Sequence, residues 1–177
     1  MKSSLDLGCG GKPKNPFNAE QLFGVDIRAC GDSIKKANLV YEPIPFLEAS
    51  FDYVTAYDFV EHVPRLMNIW DPVEVRNKTI YPFINLMNEV YRVLKLDGLF
   101  LSSTPAYPNP EAFQDPTHVN IITEKTFPLY FNDHYPVAHI YGFSGGFSVV
   151  SQDWQNSHLV TLLKKSHRPN IEQWPTY

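Results

Sequence analysis

The most informative part of this sequence is "LDLGCGGKPKN", residues 5–15. A short apolar run ends in a cluster of glycines, and an acid, Asp6, stands two residues before Gly8, the first of them. Glycine adopts turns that other residues avoid, and such turns let backbone N–H groups approach a ligand closely. The stretch therefore predicts a strand that ends in a turn binding a nucleotide-like ligand.

The composition predicts a folded protein with one domain over residues 1–177. Hydrophobic residues make up 44% of the chain and charged residues 19%, which is ordinary for a globular protein and argues against disorder. The formal net charge is -4, and no basic stripe is present. Because duplex nucleic-acid binders neutralise phosphates with clustered Lys and Arg, duplex nucleic acid is an unfavoured partner.

The cysteines and the N-terminal residues bear on metal binding and location. Cys9 and Cys30 have no partners at ligand spacing, so the pattern predicts neither a zinc site nor a disulfide, and we expect no metal. Met1 and Lys2 lead directly into a strand, which is untypical of a signal peptide, and no apolar run approaches the length of a membrane span. These observations predict a cytoplasmic protein without a membrane span.

Strand-like and helix-like patterns alternate along the chain, which predicts an α/β protein. The expected architecture is a Rossmann-like three-layer α/β/α sandwich with a mainly parallel seven-stranded sheet and a C-terminal antiparallel hairpin. The clearest helix, residues 81–95, repeats apolar side chains every three or four positions, and Gly98 is expected to stop it. Strands are predicted over residues 4–8, 22–27, 38–42, 51–57 and 99–103, and hairpin strands over 147–152 and 158–165.

Two long segments fit neither pattern. Residues 63–79 follow the predicted fourth strand, and residues 104–146 follow the fifth. Both leave the carboxyl ends of strands, where open α/β sheets bind their ligands. Because long connections in a compact domain are usually functional, we expect these segments to be substrate-side insertions or a lid.

The glycine cluster departs from the dinucleotide-binding fingerprint. That motif places glycines at positions 8, 10 and 13 of this chain, and position 13 is Pro13. The third glycine normally lets a helix pack closely on the strand, which proline does not allow. Residues 11–21 also contain Pro16, so the first crossover helix is expected to be truncated and a nicotinamide or flavin cofactor is disfavoured.

Four blocks of sequence, in order over residues 4–104, resemble the class I S-adenosylmethionine-dependent methyltransferases, in particular their small, type 11-like domains. "LDLGCGG" matches the acid-x-G-x-G motif after the first strand, and "GVDI" matches the acid that ends the second strand. "PIPFLEASFDYVTAYDFVEHV" resembles the family's run through strand four, and "EVYRVLKLDGLFLSSTP" resembles its helix, turn and fifth strand. Lys12 stands where the family has a third glycine.

The resemblance implies S-adenosylmethionine as cofactor and S-adenosylhomocysteine as product. It implies that Asp26 binds the ribose hydroxyls, that Tyr57 and Asp58 flank the methionine portion, and that Glu42 is the acid after strand three. Structural interpretations stay open for Asp6, as an acid that ties down the loop, and for Asp26, as a turn residue. The full set of expected cofactor-binding residues is Asp6, Gly8, Cys9, Gly10, Asp26, Ile27, Glu42, Tyr57 and Asp58.

The expected reaction is in-line methyl transfer to a small-molecule or glycan acceptor, in which the enzyme mainly positions two reactants. An acceptor hydroxyl needs a general base, and histidine suits that role near neutral pH. The candidates are His62, in "VEHV", and His118, in "DPTH", a string that resembles one in methyltransferases acting on small molecules or glycans. Both also have structural interpretations: Glu61 with His62 as a brace, and His118 as part of a proline turn.

Other functions compete with an active methyltransferase. A domain that binds S-adenosylmethionine without catalysis, serving as a partner or regulatory subunit, is the main alternative, since the first helix is short. A nucleic-acid methyltransferase is disfavoured, because no proline-proline motif follows strand four and the charge is negative. The sequence leaves monomer and homodimer both open.

Overall fold

The computed structural model describes residues 1–28 and 31–168. Seven of the strands in this part of the chain form one sheet in the order β3-β2-β1-β4-β7-β9-β8, and β5 and β6 form a separate hairpin. In chain order the strands are β1 (Ser3–Leu7), β2 (Gln21–Asp26), β3 (Ile34–Lys36), β4 (Phe51–Tyr57), β5 (Met67–Asp71), β6 (Arg76–Ile80), β7 (Leu94–Pro105), β8 (Phe147–Gln155) and β9 (His158–Lys165).

The main sheet has a parallel part and an antiparallel end. Strands β3, β2, β1, β4 and β7 run parallel, whereas β9 pairs antiparallel with β7 and β8 antiparallel with β9. The predicted mainly parallel, seven-stranded sheet with a C-terminal hairpin is confirmed. Its parallel strands end at one edge, the C-terminal edge, which comprises Leu7, Asp26, Tyr57, Pro105 and the start of β9 at His158.

After β4 the chain forms the β5–β6 hairpin and then one long helix, α1 (Pro82–Val93), which leads into β7. Proline at its first position is typical of a helix start, and the backbone becomes extended at Leu94, where the helix ends. Its buried stripe packs into the core of the domain. In the described residues the other helices have five residues or fewer: α2 (Glu111–Gln114), α3 (Thr126–Tyr130) and 3-10 turns at Val60–His62 and Val137–Tyr141. No described helix has the length and apolarity needed to cross a membrane.

A loop replaces the first crossover helix, as the two prolines predict. Between β1 and β2 the described chain forms turns only. Gly24 of β2 makes room for this loop, because a Cβ atom there would lie 2.4 Å from Sγ of Cys9 and 2.8 Å from Cγ of Pro13. Further along the loop, Phe17 stacks on Tyr53 of β4 with ring centroids 4.4 Å apart. The loop therefore packs directly on the sheet, where a helix would otherwise lie.

Gly24→Ala is expected to lower the free energy of unfolding by about 1–3 kcal/mol, because the added methyl group overlaps Cys9 and Pro13 in a packed site. Urea denaturation followed by circular dichroism measures this loss. Gly11→Ala is the matched control, since a Cβ atom at Gly11 meets nothing within 4 Å. Equal stability of the two variants would contradict the packing described for the loop.

The predicted third strand is wrong. Residues 38–42 form a turn, in which the Tyr41 and Glu42 N–H groups donate to the Asn38 carbonyl, and β3 lies earlier at Ile34–Lys36. Leu39 is buried in the core, so the apolar pattern marks burial of a turn residue. Glu42 thus follows β3 by six residues and does not end a strand.

Two other boundaries differ from the prediction. Helix α1 ends at Val93, and Gly98 lies within β7, where a Cβ atom would meet the Lys95 carbonyl at 2.8 Å. Strand β7 is consequently longer than predicted. Residues 63–79 contain most of a hairpin that was not predicted, because strands β5 and β6 contain no fully buried residue.

Candidate functional site

The glycine turn after β1 lies at the C-terminal edge, next to the end of β4. Gly8 and Gly10 have φ values of +64° and +59°, a left-handed backbone that favours glycine. The Gly8 N–H donates to the Val25 carbonyl at 2.8 Å, which fixes the turn against β2. A Cβ atom at Gly8 would lie 2.4 Å from Cδ2 of Phe59, so glycine is required for the turn to approach this ring.

Asp26 ends β2 and holds the glycine turn from the side. Its Oδ2 accepts the Gly10 N–H at 2.9 Å, and its Oδ1 accepts the Arg28 N–H at 3.0 Å and Arg28 Nε at 3.2 Å. Partial burial acts to raise the pKa of Asp26, but the N–H donors of Arg28 and Gly10 outweigh it and hold the pKa below its ordinary value. The next residue, Ile27, is 58% exposed. A fixed anion thus lies beside an exposed apolar side chain.

Asp6 and Cys9 point into the protein. Asp6 is 2% exposed; its Oδ1 accepts the Thr55 hydroxyl at 2.7 Å and its Oδ2 the Lys14 N–H at 2.8 Å. Burial raises the pKa of the Asp6 carboxyl. The Cys9 sulfur packs against Gly24. The described contacts of Asp6 therefore tie the loop to β4, and those of Cys9 help to seat it on β2.

The end of β4 brings Tyr57 and Asp58 to the same edge. The Lys14 ammonium lies 4.1 Å from the ring centre of Tyr57. Asp58 has φ +49°, and its N–H donates to the Ser103 carbonyl of β7 at 2.9 Å. Its Oδ1 lies 2.7 Å from Nε2 of His158, the first residue of β9. This acid–histidine pair, absent from the sequence-based predictions, arises because β9 runs antiparallel and starts at this edge.

Glu42 does not join this group through any described hydrogen bond. Its side chain is exposed, and its carboxylate accepts the Asn38 N–H at 2.5 Å within the same turn. The structure therefore gives Glu42 a local role in closing that turn, and its cofactor role stays a prediction.

The two predicted catalytic histidines are neighbours in space. The ring centroids of His62 and His118 lie 4.9 Å apart, with the planes at 72°. The segment that carries His118 is fixed by backbone hydrogen bonds, since the N–H groups of Val119 and Asn120 both donate to the Glu61 carbonyl at 2.9 Å. One ligand-type atom each from Glu61, His62 and His118 lies within 4.8 Å of the others. Residues 104–146 thus complete a cluster that begins at the end of β4.

Glu61 is the buried member of this cluster. It is 1% exposed, and its Oε2 accepts the Thr104 hydroxyl at 2.7 Å. Among the described residues its Oε1 is buried without a hydrogen-bond partner. Burial raises the pKa of this carboxyl. The sequence marked the Glu61–His62 pair, but only the fold places His118 beside it.

An apolar cleft of about 440 Å³ opens between the start of α1 and α3. Arg65 lies on its wall, and Arg65 Nε donates to Oδ1 of Asn120 at 2.7 Å, which links the cleft to the segment that bonds Glu61. Three of the aromatic residues of segment 104–146 line the cleft, whereas others are buried in the core. The lining is Arg65, Leu66, Tyr81, Phe83, Ile84, Thr123, Lys125, Thr126, Tyr130, Phe131 and Tyr141.

The sheet order and the glycine turn after β1 define the fold of class I S-adenosylmethionine (SAM)-dependent methyltransferases. The chain is similar to YcgJ from Bacillus subtilis, with a TM-score of 0.59, 13% identity, and coverage of 95% of this chain and 93% of that chain. It is also similar to a SAM-dependent methyltransferase from Archaeoglobus fulgidus, with a TM-score of 0.54, 15% identity, and coverage of 93% and 86%. No family model and no curated protein matches the sequence.

A third similar structure, the [4+2]-cyclase SpnF, has the same fold but is named for a reaction other than methyl transfer. It has a TM-score of 0.57 and 12% identity, with coverage of 94% of this chain and 75% of that chain. Identities at this level show the shared fold alone. The reaction of this chain must therefore be argued from its own site.

Proposed function

We propose that this protein is a SAM-dependent methyltransferase that transfers a methyl group to a small-molecule or glycan acceptor by in-line displacement. The observation that carries the proposal is the arrangement at the C-terminal edge. There a left-handed glycine turn, the charged Asp26 and the exposed Ile27 lie together. Turn, acid and apolar side chain in that order are the features needed to hold a nucleoside and its charged tail.

Asp26 has capacity for the ribose. A carboxylate offers about four acceptor sites, and Gly10 and Arg28 use three of them. The Arg28 side chain is 74% exposed, so its contact with Asp26 is weak and easily exchanged for ribose hydroxyls. Ile27 would then pack on the adenine, and Tyr57 and Asp58 would flank the methionine portion.

The acceptor would enter the aromatic cleft. A volume of about 440 Å³ fits a small molecule or a sugar unit, and aromatic walls pack on the apolar faces of either. Arg65 and Lys125 place positive charge in its lining. Arg65 is bonded to Asn120, and the Asn120 N–H to the Glu61 carbonyl, so this wall of the cleft is linked to the segment that precedes His62.

Transfer from SAM carrying a labelled methyl group, supplied with fractionated small molecules and glycans, tests this proposal. We expect a labelled product and a matching amount of S-adenosylhomocysteine. Binding of SAM with no transfer to any fraction would instead favour a catalytically inactive partner or regulatory domain. Asp26→Ala is the control at SAM concentrations well below saturation, because labelling that does not fall in this variant would come from a contaminant.

A further inference from the structure

Glu61, His62 and His118 form the densest group of ligand-type atoms among residues 1–28 and 31–168. One atom from each lies within 4.8 Å of the others. Bound to a metal at about 2.0–2.2 Å, nitrogen and carboxylate ligands approach one another to about 3–3.5 Å. Metal binding at this group therefore requires side-chain rotations that bring the three ligand atoms closer together.

The hydrogen bonds of the two rings involve Nδ1 and leave Nε2 as the second nitrogen; Nε2 of His118 lies 4.0 Å from Oδ2 of Asp115. His118 Nδ1 lies 3.1 Å from the Glu111 carbonyl, and His62 Nδ1 lies 3.2 Å from the Thr117 carbonyl. A carbonyl only accepts, so each Nδ1 carries the proton and each Nε2 of the neutral ring offers a lone pair. Metal-bound histidines characteristically use their second nitrogen in this way.

The support around His62 extends to a carboxylate. The Thr117 hydroxyl lies 3.0 Å from His62 Nδ1 and donates to Asp115 Oδ1 at 2.6 Å. The chain Asp115–Thr117–His62 orients the ring, as the outer shell of a metal site does. The proline turn, predicted from the sequence as the structural interpretation of His118, includes Asp115, which bonds to both Thr117 and the His118 N–H.

Glu61 supplies the second, independent observation. It is 1% exposed, and within the described part of the chain its Oε1 has no hydrogen-bond partner. Burying a carboxylate oxygen without a partner is costly, and such groups are rare unless a proton, a water or a cation satisfies them. Two histidine nitrogens nearby indicate a cation.

We propose that Glu61, His62 and His118 bind one divalent transition-metal ion. Two histidines and one carboxylate are a ligand set for Zn²⁺, Mn²⁺, Fe²⁺ or Co²⁺, and three protein ligands leave positions open for substrate. In a role that rests on the proposed methyltransferase function, the ion binds an acceptor hydroxyl and lowers its pKa. The O–CH₃ bond forms as the S–CH₃ bond breaks with its electron pair on sulfur, and the hydroxyl proton passes to water.

Titration of the untagged, chelator-treated protein with Co²⁺ and Zn²⁺ tests the site itself. We expect one ion per chain by calorimetry and a cobalt absorption band in the visible range. His118→Gln, His62→Ala and Glu61→Gln should each weaken binding about 10-fold or more, whereas His134→Ala, with a side chain 96% exposed and outside the cluster, should bind as wild type. Circular dichroism and thermal melting establish that each variant is folded.

The outcomes separate the site from the function. Absence of binding by the wild type, or wild-type affinity in the folded cluster variants, overturns the metal site even if the protein transfers methyl groups. One ion per chain, lost in the cluster variants, sustains the site even if no methyl transfer is found. Methyl transfer at full rate by the metal-free protein would overturn the role of the ion in the reaction.

Discussion

His62→Ala and His118→Ala are each expected to lower kcat about 100-fold in a methyl-transfer assay, with KM for SAM little changed. The expectation follows from geometry, because the two rings lie 4.9 Å apart and share one point of convergence with Glu61. Loss of a group that activates the acceptor typically costs about 10²–10⁴-fold. Since the residues act on the same point, the double variant should lose little more than either single variant.

His134→Ala is the matched control for both histidine variants and should retain full kcat. A large loss in only one variant would assign a general base to that histidine and contradict a jointly acting cluster. Full activity in both would mean that catalysis depends on positioning alone.

Asp26→Ala is expected to weaken S-adenosylhomocysteine binding about 10- to 100-fold, roughly 1.5–3 kcal/mol. The variant removes the acceptor for the ribose, and it also frees the Gly10 and Arg28 N–H groups that Asp26 now holds. Both losses act on the glycine turn. Calorimetry with S-adenosylhomocysteine, which is stable and competes for the cofactor site, measures the change.

Asp153→Ala, at an exposed position of the outer strand β8, is the control for loss of one carboxylate and should bind as wild type. Asp26→Asn separates the two roles of the residue. It keeps an acceptor for the Gly10 N–H but removes the charge, so its affinity should lie between those of wild type and Asp26→Ala. Unchanged affinity in folded Asp26→Ala would place the cofactor elsewhere.

The sheet could largely be predicted because its buried strands have clear patterns. Strand β4 occupies the predicted residues 51–57, where apolar residues alternate and a turn precedes them. Residues 38–42 were wrongly predicted as a strand because Leu39 is apolar and buried but belongs to a turn. Strands β5 and β6 were not predicted because the hairpin contains no fully buried residue and β6 is mostly polar.

Candidate site residues could be predicted only where each lies in a recognisable local motif. The glycine turn, Asp26 and the Glu61–His62 pair carry local patterns, and the structure places the first two in contact. The pairing of Asp58 with His158 spans 100 residues and depends on the register of β9 against β7. The approach of His118 to Glu61 likewise depends on hydrogen bonds made by Val119 and Asn120, which no sequence pattern indicates.

Calorimetric titration of the wild-type chain with SAM and with S-adenosylhomocysteine measures whether the chain binds the cofactor of a methyltransferase. We expect saturable binding of one molecule of either compound per chain, with the affinity reduced in Asp26→Ala and retained in Asp153→Ala. If neither SAM nor S-adenosylhomocysteine binds to the folded wild-type protein, both the methyltransferase function and the alternative of an inactive cofactor-binding domain are contradicted.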